Sequence, residues 1–220
     1  DGKCDTATGA AADRGDHEGL STSNLTVADR WGNVVEYTLT IEQTGGSGMV
    51  VPHRGFLLNN ELTDFTYAAT YDRTDPNRIQ GGKRPRSSIS PTILLKDGQP
   101  WLALGSPGGS TIITTVLQML VDRIDRGMTI EQAIADPRAS QRNTASVTAE
   151  QSFIDTYGPL LSPLGHTFSP AGAPGTTAAE IGAATAIEIG PAGLLTAVSE
   201  PVRRGGGSAL VVHPSGHQGP

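Results

Sequence analysis

Residues 21–42 read STSNLTVADRWGNVVEYTLTIE, and the alternation of polar and apolar residues in this stretch predicts a β-hairpin. We expect strands over 22–30 and 34–42, joined by a tight turn at Trp31-Gly32. Side chains alternate between the two faces of a strand, so one face of this hairpin is apolar. The other face carries hydroxyl, amide and carboxylate groups, which is where chemistry is expected.

Thr22 begins the polar face of the hairpin. A register that pairs Thr22 with Ile41 places Thr40 and Glu42 beside it. A threonine hydroxyl needs a base to take its proton. If the bond between Ser21 and Thr22 is broken, the new α-amine, with a reference pKa of ~7.7–8.0, can act as that base. Thr22 is therefore a candidate N-terminal nucleophile, although from this stretch alone an ordinary strand threonine is the alternative.

Composition limits the class of protein. The chain of 220 residues is long enough for one substantial core, and its 28 glycines with 5% aromatic residues favour small-residue packing and many turns. A net charge of −6 without a basic stripe excludes a nucleic-acid partner. The single cysteine, Cys4, excludes an internal disulfide framework and a cysteine-based metal site. We predict no metal and no cofactor.

Further hairpins and helices follow the first hairpin. A second hairpin is predicted over 92–96 and 99–104, and a third over 183–189 and 194–199. Helices are predicted after the glycine-rich loop at 105–110, at 129–136 with a capping box, and within 151–164. The first of these helices has an apolar stripe made of Ile112, Ile113, Val116, Leu117, Leu120, Val121 and Ile124. Hairpins followed by helices on one face indicate a layered α+β fold.

Three segments are expected along the chain. Residues 1–21 are interpreted as a linker, the end of an upstream part that is removed or cleaved on maturation. Residues 22–207 form the catalytic domain. Residues 208–220 are expected to be a frayed tail.

The glycine-rich loop ends in Gly108 and Gly109, at a predicted strand-to-helix junction. Glycines there let backbone N–H groups approach an anion, and the helix start adds positive potential. The loop lacks the Gly-Lys-Ser/Thr of a phosphate-binding P-loop, so these two amides suit an oxyanion hole instead.

Two more clusters carry charge or hydroxyl groups. Glu61 and Asp64 are able to form an anionic pocket with Glu42, or else belong to a solvated acidic loop. Ser87 and Ser88 lie close in sequence to three cations, an arrangement suited to binding a carboxylate. The alternative is a loop that leads into a strand.

Four strings occur in the order and spacing of one known family, and together they span about residues 22–207. They are Thr22-Ser23-Asn24-Leu25 with Asp29 and Gly32-Asn33; residues 55–61 with Asp64-Phe65; residues 83–92; and residues 105–110. On these strings the chain resembles the small subunit of γ-glutamyltransferase (γ-glutamyl transpeptidase). In this resemblance Asn24 stands where histidine is common, and Glu42 where the best-known members have asparagine.

The resemblance implies a role for each matching position. Thr22 is the nucleophile freed by autocatalytic cleavage after Ser21, and Thr40 contacts its hydroxyl and assists maturation. Gly108 and Gly109 hold the tetrahedral oxyanion. The implied ligands of the donor's α-ammonium are Glu42, Glu61 and Asp64, and those of its α-carboxylate are Ser87 and Ser88.

The resemblance also implies a fold, a reaction and a partner. The fold is the four-layer αββα sandwich of N-terminal nucleophile hydrolases, of which this chain is the C-terminal part. The reaction is transfer of a γ-glutamyl group from glutathione or a related compound to water, an amino acid or a peptide. The partner is the protein's own large subunit, which contributes an arginine to the carboxylate site, and the compartment is extracellular or periplasmic.

Two alternatives stay open beside this resemblance. The first is a related acylase that acts on cephalosporin (glutaryl) side chains or on poly-γ-glutamate. The second is an unprocessed, inactive homologue with a binding or structural role.

Overall fold

The computed structural model describes residues 21–67, 74–172 and 180–213. The strands are β1 (Thr22–Ala28), β2 (Val34–Thr40), β3 (Thr92–Lys96), β4 (Gln99–Gly105), β5 (Ala139–Ser140), β6 (Val147–Ala149), β7 (Phe168–Pro170), β8 (Thr185–Ile189) and β9 (Leu195–Ser199). The α-helices are α1 (Ile112–Ile124), α2 (Ile130–Ala135) and α3 (Gln151–Leu161). The predicted linker up to residue 20 and the tail from residue 214 lie outside these ranges. Within them, none of the helices combines the length and the apolar character needed to span a bilayer.

β1 and β2 form the predicted antiparallel hairpin, but the predicted register is wrong by one residue. Thr22 pairs with Thr40 and not with Ile41. The turn causes the difference, because the N–H of Asp29 donates to the carbonyl of Asn33 and the Asp29 carboxylate accepts from the Asn33 side chain at 2.8 Å. Residues that lie directly opposite each other share a face, so the observed register, unlike the predicted one, keeps the polar sides of both strands together.

The second and third predicted hairpins are confirmed, and they join in one antiparallel sheet with the strand order β3-β4-β8-β9. β4 lies beside β8, with Leu104 opposite Ala186 and Gly105 opposite Thr185. The residues of β8 alternate between the two faces of this sheet. Ala186 points into the hydrophobic core, while Thr185 bonds to side chains of the first hairpin.

α1 and α2 cover one face of the four-stranded sheet, and the hydrophobic core lies between these helices and the sheet. Its fully buried members are Leu102, Leu104, Ile112, Val116, Met119, Ile130, Ile134, Ala184 and Ala186. α2 begins with the predicted capping box, in which Thr129 and Gln132 each accept a hydrogen bond from the other's backbone N–H. Four of the seven residues in the predicted apolar stripe of α1 remain exposed, namely Ile113, Leu117, Val121 and Ile124.

α3 packs beside a small three-stranded sheet with the order β5-β6-β7. The helix continues into a short 3-10 turn that ends at Gly165, as its sequence predicted. This unit lies at the side of the main core. It is joined to α1 through β5, where the Ser140 and Thr114 hydroxyls lie 2.7 Å apart and the N–H of Ala139 donates to Gln118 Oε1 at 3.2 Å.

The first hairpin lies on the other face of the four-stranded sheet with its polar side inward. Asn24 Nδ2 donates to Thr185 Oγ1 at 2.8 Å, and the Thr26 and Thr185 hydroxyls are 2.9 Å apart. The opposite, apolar side of the hairpin is exposed. Its members are Leu25, Val27, Val35, Tyr37 and Leu39. Helices, sheet and hairpin therefore form three successive layers.

A buried ionic cluster joins the helices to the end of β9. Arg138 and Glu200 are each 1% exposed, and Arg138 Nη2 donates to Glu200 Oε2 at 3.0 Å. Arg203 Nη1 donates to the other oxygen of Glu200 at 3.0 Å, and Arg203 Nη2 donates to Glu150 Oε2 at 2.8 Å. Burial lowers the pKa of Arg138 to about 10, and the charge of Arg203 acts in the same direction. Both guanidinium groups thus remain charged at neutral pH; Glu200 is the carboxylate that the Arg138 side chain bonds, whereas Arg203 also has Glu150.

We expect Glu200→Gln to lower the free energy of unfolding of the full-length protein by about 3–5 kcal/mol, because it leaves buried arginine charge uncompensated. Glu188→Gln is the matched control. Its partner Arg123 is 24% exposed, and an ion pair near the surface contributes about 1 kcal/mol or less. Denaturant titration of both variants tests the difference. Equal losses would contradict a special contribution from the buried cluster.

Candidate active site

A pair of hydroxyls lies at the open end of the first hairpin. Thr22 Oγ1 donates to Thr40 Oγ1 at 2.9 Å. The same oxygen of Thr40 accepts from the backbone N–H of Glu42 at 2.9 Å. The observed register brings the two threonines face to face, so the corrected pairing places them closer than the predicted one. Next to this pair, the Ser21 hydroxyl lies 2.9 Å from that of Thr44.

The chain turns sharply after β2, and this turn directs Glu42 inward. Glu42 has a φ of 71°, in the left-handed region that side chains other than glycine rarely adopt, and it is only 3% exposed. A buried carboxylate on strained backbone persists only when the surrounding structure holds it. Such strain is common at binding sites.

The acidic residues Glu61 and Asp64 lie in a segment that is hydrogen-bonded to the end of β2. Residues Glu61–Asp64 form a short 3-10 turn. Just before it, the N–H of Asn60 donates to the carbonyl of Ile41 at 3.2 Å, and the Asn60 side chain accepts from the N–H of Gln43 at 3.0 Å. Asn60 therefore holds the acidic turn beside Glu42.

Asn77 connects this acidic turn to the segment that carries the two serines. Its Nδ2 donates to the carbonyl of Asp64 at 2.7 Å, and its Oδ1 accepts from the N–H of Arg86 at 2.9 Å. Sequence reasoning missed this residue. The Asp75-Pro76 pair before it is a turn signal, but nothing in the sequence tells which two segments the amide joins.

The glycine loop approaches from the end of β4. Gly108 has a φ of 144° and Gly109 a φ of 57°, values that favour glycine at both positions. A 3-10 turn at Gly109–Thr111 leads into α1, so the start of a helix faces the site. Its partial positive charge favours an anion there.

These elements line a single cavity that is open to solvent. It is lined by Thr22, Thr40, Glu42, Glu61, Asp64, Ser87, Ser88, Ile89, Gly109 and Ile112. Eight of these are residues singled out from the sequence. Gly108 lies next to the lining without belonging to it, and the two isoleucines were not anticipated. Among the described residues no cluster of His, Cys, Asp or Glu has the arrangement of a metal site.

Comparison with known proteins assigns a family to this arrangement. A family model described as gamma-glutamyltranspeptidase matches residues 4–210. The chain belongs to the γ-glutamyltranspeptidase family. It is 44% identical over 168 residues to the glutathione hydrolase proenzyme of Bacillus subtilis (strain 168), a match that covers 76% of this chain. The chain spans only 27% of the length of that relative.

Solved structures agree with this assignment. A highly active mutant of gamma-glutamyltranspeptidase from Pseudomonas nitroreducens superimposes with a TM-score of 0.71 at 32% identity, covering 87% of this chain and 99% of that one. Cephalosporin acylase from Bacillus halodurans superimposes with a TM-score of 0.73 at 28% identity, covering 86% of this chain and 34% of that one. The predicted α+β fold of the N-terminal nucleophile hydrolases is thereby confirmed.

In this member of the γ-glutamyltranspeptidase family, an amide on β1 and a carboxyl on β2 meet on the inward, polar side of the first hairpin. Asn24 Nδ2 donates to Glu36 Oε1 at 2.7 Å, and Asn24 Oδ1 accepts from Thr38 Oγ1 at 2.7 Å. Within the described residues, the buried Oε2 of Glu36 has no hydrogen-bond partner. Burial raises the pKa of Glu36, while hydrogen bonds from Thr26 and Asn24 oppose the rise.

A carboxyl whose pKa is raised by folding binds a proton more tightly in the folded state. Its ionisation therefore removes stability as the pH rises from the unfolded value, near 4.5, through the folded value. We expect Glu36→Gln to remove this contribution. As the pH rises through that window, the thermal midpoint of Glu36→Gln should increase relative to that of the wild type. Above the window the difference between the two midpoints should stay constant. A difference that does not change with pH would contradict this account.

Proposed function

We propose that this chain carries the nucleophile of a γ-glutamyl transferase or hydrolase that acts on glutathione or a related γ-glutamyl compound. The observation that carries the proposal is a single cavity in which the Thr22 hydroxyl, Gly109, three carboxylates and two serine hydroxyls meet. A hydroxyl nucleophile beside an anion-binding loop suits acyl transfer. Carboxylates and hydroxyls in the same cavity suit a zwitterionic substrate.

Substrate binding follows from the distribution of charge. Glu42, Glu61 and Asp64 supply negative charge for the α-ammonium of the donor. Ser87 and Ser88 supply hydroxyl donors for its α-carboxylate. Fixing both ends of the amino-acid head orients the γ-carbonyl carbon for attack, because a bound zwitterion has lost most of its rotational freedom.

Catalysis begins once the bond between Ser21 and Thr22 is broken. The free α-amine of Thr22 takes the hydroxyl proton, and Oγ1 attacks the γ-carbonyl carbon of the donor. The oxyanion that forms is bound by the amides of Gly108 and Gly109. Its collapse expels the donor's amine, which receives the proton, and leaves a γ-glutamyl ester on Thr22.

The ester is resolved by a second nucleophile. Water gives glutamate, whereas the amine of an amino acid or peptide gives a new γ-glutamyl amide. In both cases the α-amine of Thr22 accepts the proton of the incoming nucleophile and returns one to the departing hydroxyl. Thr40 supports both steps because its contact at 2.9 Å holds the Thr22 hydroxyl in place.

The partner in this proposal is the upstream part of the same precursor. The relative from Bacillus subtilis is named a proenzyme, and this chain spans 27% of its length. The exposed apolar face of the first hairpin, which includes Leu25, Tyr37 and Leu39, is where a fourth layer of the sandwich would pack. Large exposed apolar faces are typical of surfaces that another chain covers.

Substitution of the nucleophile tests the central step. In the full-length precursor we expect Thr22→Ala to abolish both cleavage and hydrolysis of a γ-glutamyl anilide, with a loss of at least about 10³-fold. Mass spectrometry of the wild type should show two co-eluting chains, one of which begins at Thr22. Thr26→Ala is the matched control, since Thr26 lies on the same face of the same strand but bonds Thr185. An uncleaved wild type would instead support the inactive homologue.

A pair of substrates separates the transferase from the acylase. Glutaryl anilide differs from γ-glutamyl anilide by the absence of the α-ammonium, so acidic residues should favour only the latter. We expect Asp64→Asn to raise KM for the γ-glutamyl substrate about tenfold or more, since a charge-assisted bond is lost. KM for the glutaryl substrate should stay unchanged. A wild-type preference for the glutaryl substrate would favour the cephalosporin-acylase alternative, to which the structural similarity at a TM-score of 0.73 gives weight.

A further inference from the structure

Two hydroxyls are attached to the glycine loop without lining the cavity. They belong to Ser106, which is fully buried at the end of β4, and Thr111, which precedes α1. Each binds a backbone carbonyl of the loop. The mechanism proposed above gives neither of them a role.

Ser106 holds the carbonyl of Pro107. Its hydroxyl oxygen accepts from the N–H of Ala183 at 3.0 Å, and its own proton is donated to Pro107 O at 2.6 Å. The first bond orients the hydroxyl and the second uses its only proton. A residue 77 positions away in the chain therefore fixes the orientation of the peptide group that joins Pro107 to Gly108.

Thr111 holds the next carbonyl. Its side-chain Oγ1 donates to Gly108 O at 2.8 Å, and its backbone N–H donates to the same oxygen at 3.2 Å. Two donors on one acceptor fix the peptide group that joins Gly108 to Gly109. This contact also closes the first turn of the helix start.

The loop before β8 closes the space around the glycine loop. A Cβ added to Gly182 would lie 2.7 Å from Ser106 Oγ and 2.8 Å from Thr115 Oγ1, and one added to Gly108 would lie 3.1 Å from the Cα of Gly182. Such close packing leaves the Ser106 hydroxyl little freedom to rotate away. The glycine loop is thus fixed both by hydrogen bonds from Ser106 and Thr111 and by close packing against Gly182.

A trans peptide group is planar, and its N–H points away from its C=O. The carbonyls held by Ser106 and Thr111 belong to the same peptide groups as the N–H groups of Gly108 and Gly109. We propose that Ser106 and Thr111 are positioning residues that aim these two amides at the developing oxyanion. The inference rests on the proposed function, which assigns the oxyanion to those amides.

The test uses the full-length protein after cleavage, with rates normalised to the amount of chain that begins at Thr22. Ser106→Ala and Thr111→Val should each lower kcat for γ-glutamyl anilide by about tenfold, less than the loss of an oxyanion donor, with KM within about twofold of wild type. Thr111→Ser keeps the hydroxyl and should restore kcat. Ser140→Ala is the control, because Ser140 is also 1% exposed but bonds Thr114, and it should leave kcat unchanged.

An inhibitor pair distinguishes aiming of the amides from general damage. A glutamate analogue with a boronic acid at the γ-position forms a tetrahedral anion on the Thr22 hydroxyl, whereas free glutamate forms none. The affinity for the boronic acid should fall by the same factor as kcat, while that for glutamate stays within about twofold. Equal losses for both ligands, or an unchanged kcat in Ser106→Ala and Thr111→Val, would overturn the inference. If Ser106→Ala does not fold, the kcat of Thr111→Val compared with that of Thr111→Ser decides whether the inference holds.

Thr22→Ala, measured with the same substrate and normalised to total protein, keeps the two proposals apart. Activity that survives in Thr22→Ala removes the proposed function and the inference with it. Activity that depends on Thr22 but not on Ser106 or Thr111 removes the inference alone.

Discussion

The site depends on a polar interface between two β-layers. The first hairpin turns its hydrophilic side toward the four-stranded sheet, and the Asn24 amide bonds Thr185, Glu36 and Thr38 there. Buried polar groups of this kind are costly unless all their hydrogen bonds are made. The interface therefore accepts one register of the hairpin, and that register points the Thr22 hydroxyl inward.

The walls of the cavity are loops, yet each is held by bonds to a distant segment. Asn60 fastens the acidic turn to the end of β2, Asn77 joins that turn to the serine segment, and Ser106 joins the glycine loop to the chain before β8. These hydrogen bonds restrain the loops in the arrangement described. Preorganised dipoles are what acyl-transfer sites need, because they do not have to reorient as charge develops.

The same hairpin that carries Thr22 leaves its apolar side exposed to solvent. This arrangement inverts the usual pattern, in which the apolar side of a sheet is covered and the polar side is solvated. In the function proposed above, the upstream part of the precursor covers that side with a further layer of the sandwich. The exposed part of the apolar stripe on α1, at Ile113 and Leu117, is consistent with further packing at the helical layer too.

Local patterns in the sequence determined much of this protein. They predicted three hairpins, the helix that follows the glycine loop, the capping box at Thr129, and most of the residues that line the cavity. These features depend on alternation, turn residues and spacing, which are local properties of a chain. Resemblance to a family added the roles, which stay predictions.

Only the tertiary structure decided the pairing of Thr22 with Thr40, the left-handed backbone of Glu42, and the bonds made by Asn77 and Ser106. The turn at Asp29 shifted the register by one residue through side-chain bonds that no alternation pattern encodes. The other features join segments far apart in the chain. Their partners are chosen by packing in three dimensions, and a one-dimensional pattern holds no information about which distant carbonyl an amide or hydroxyl will meet.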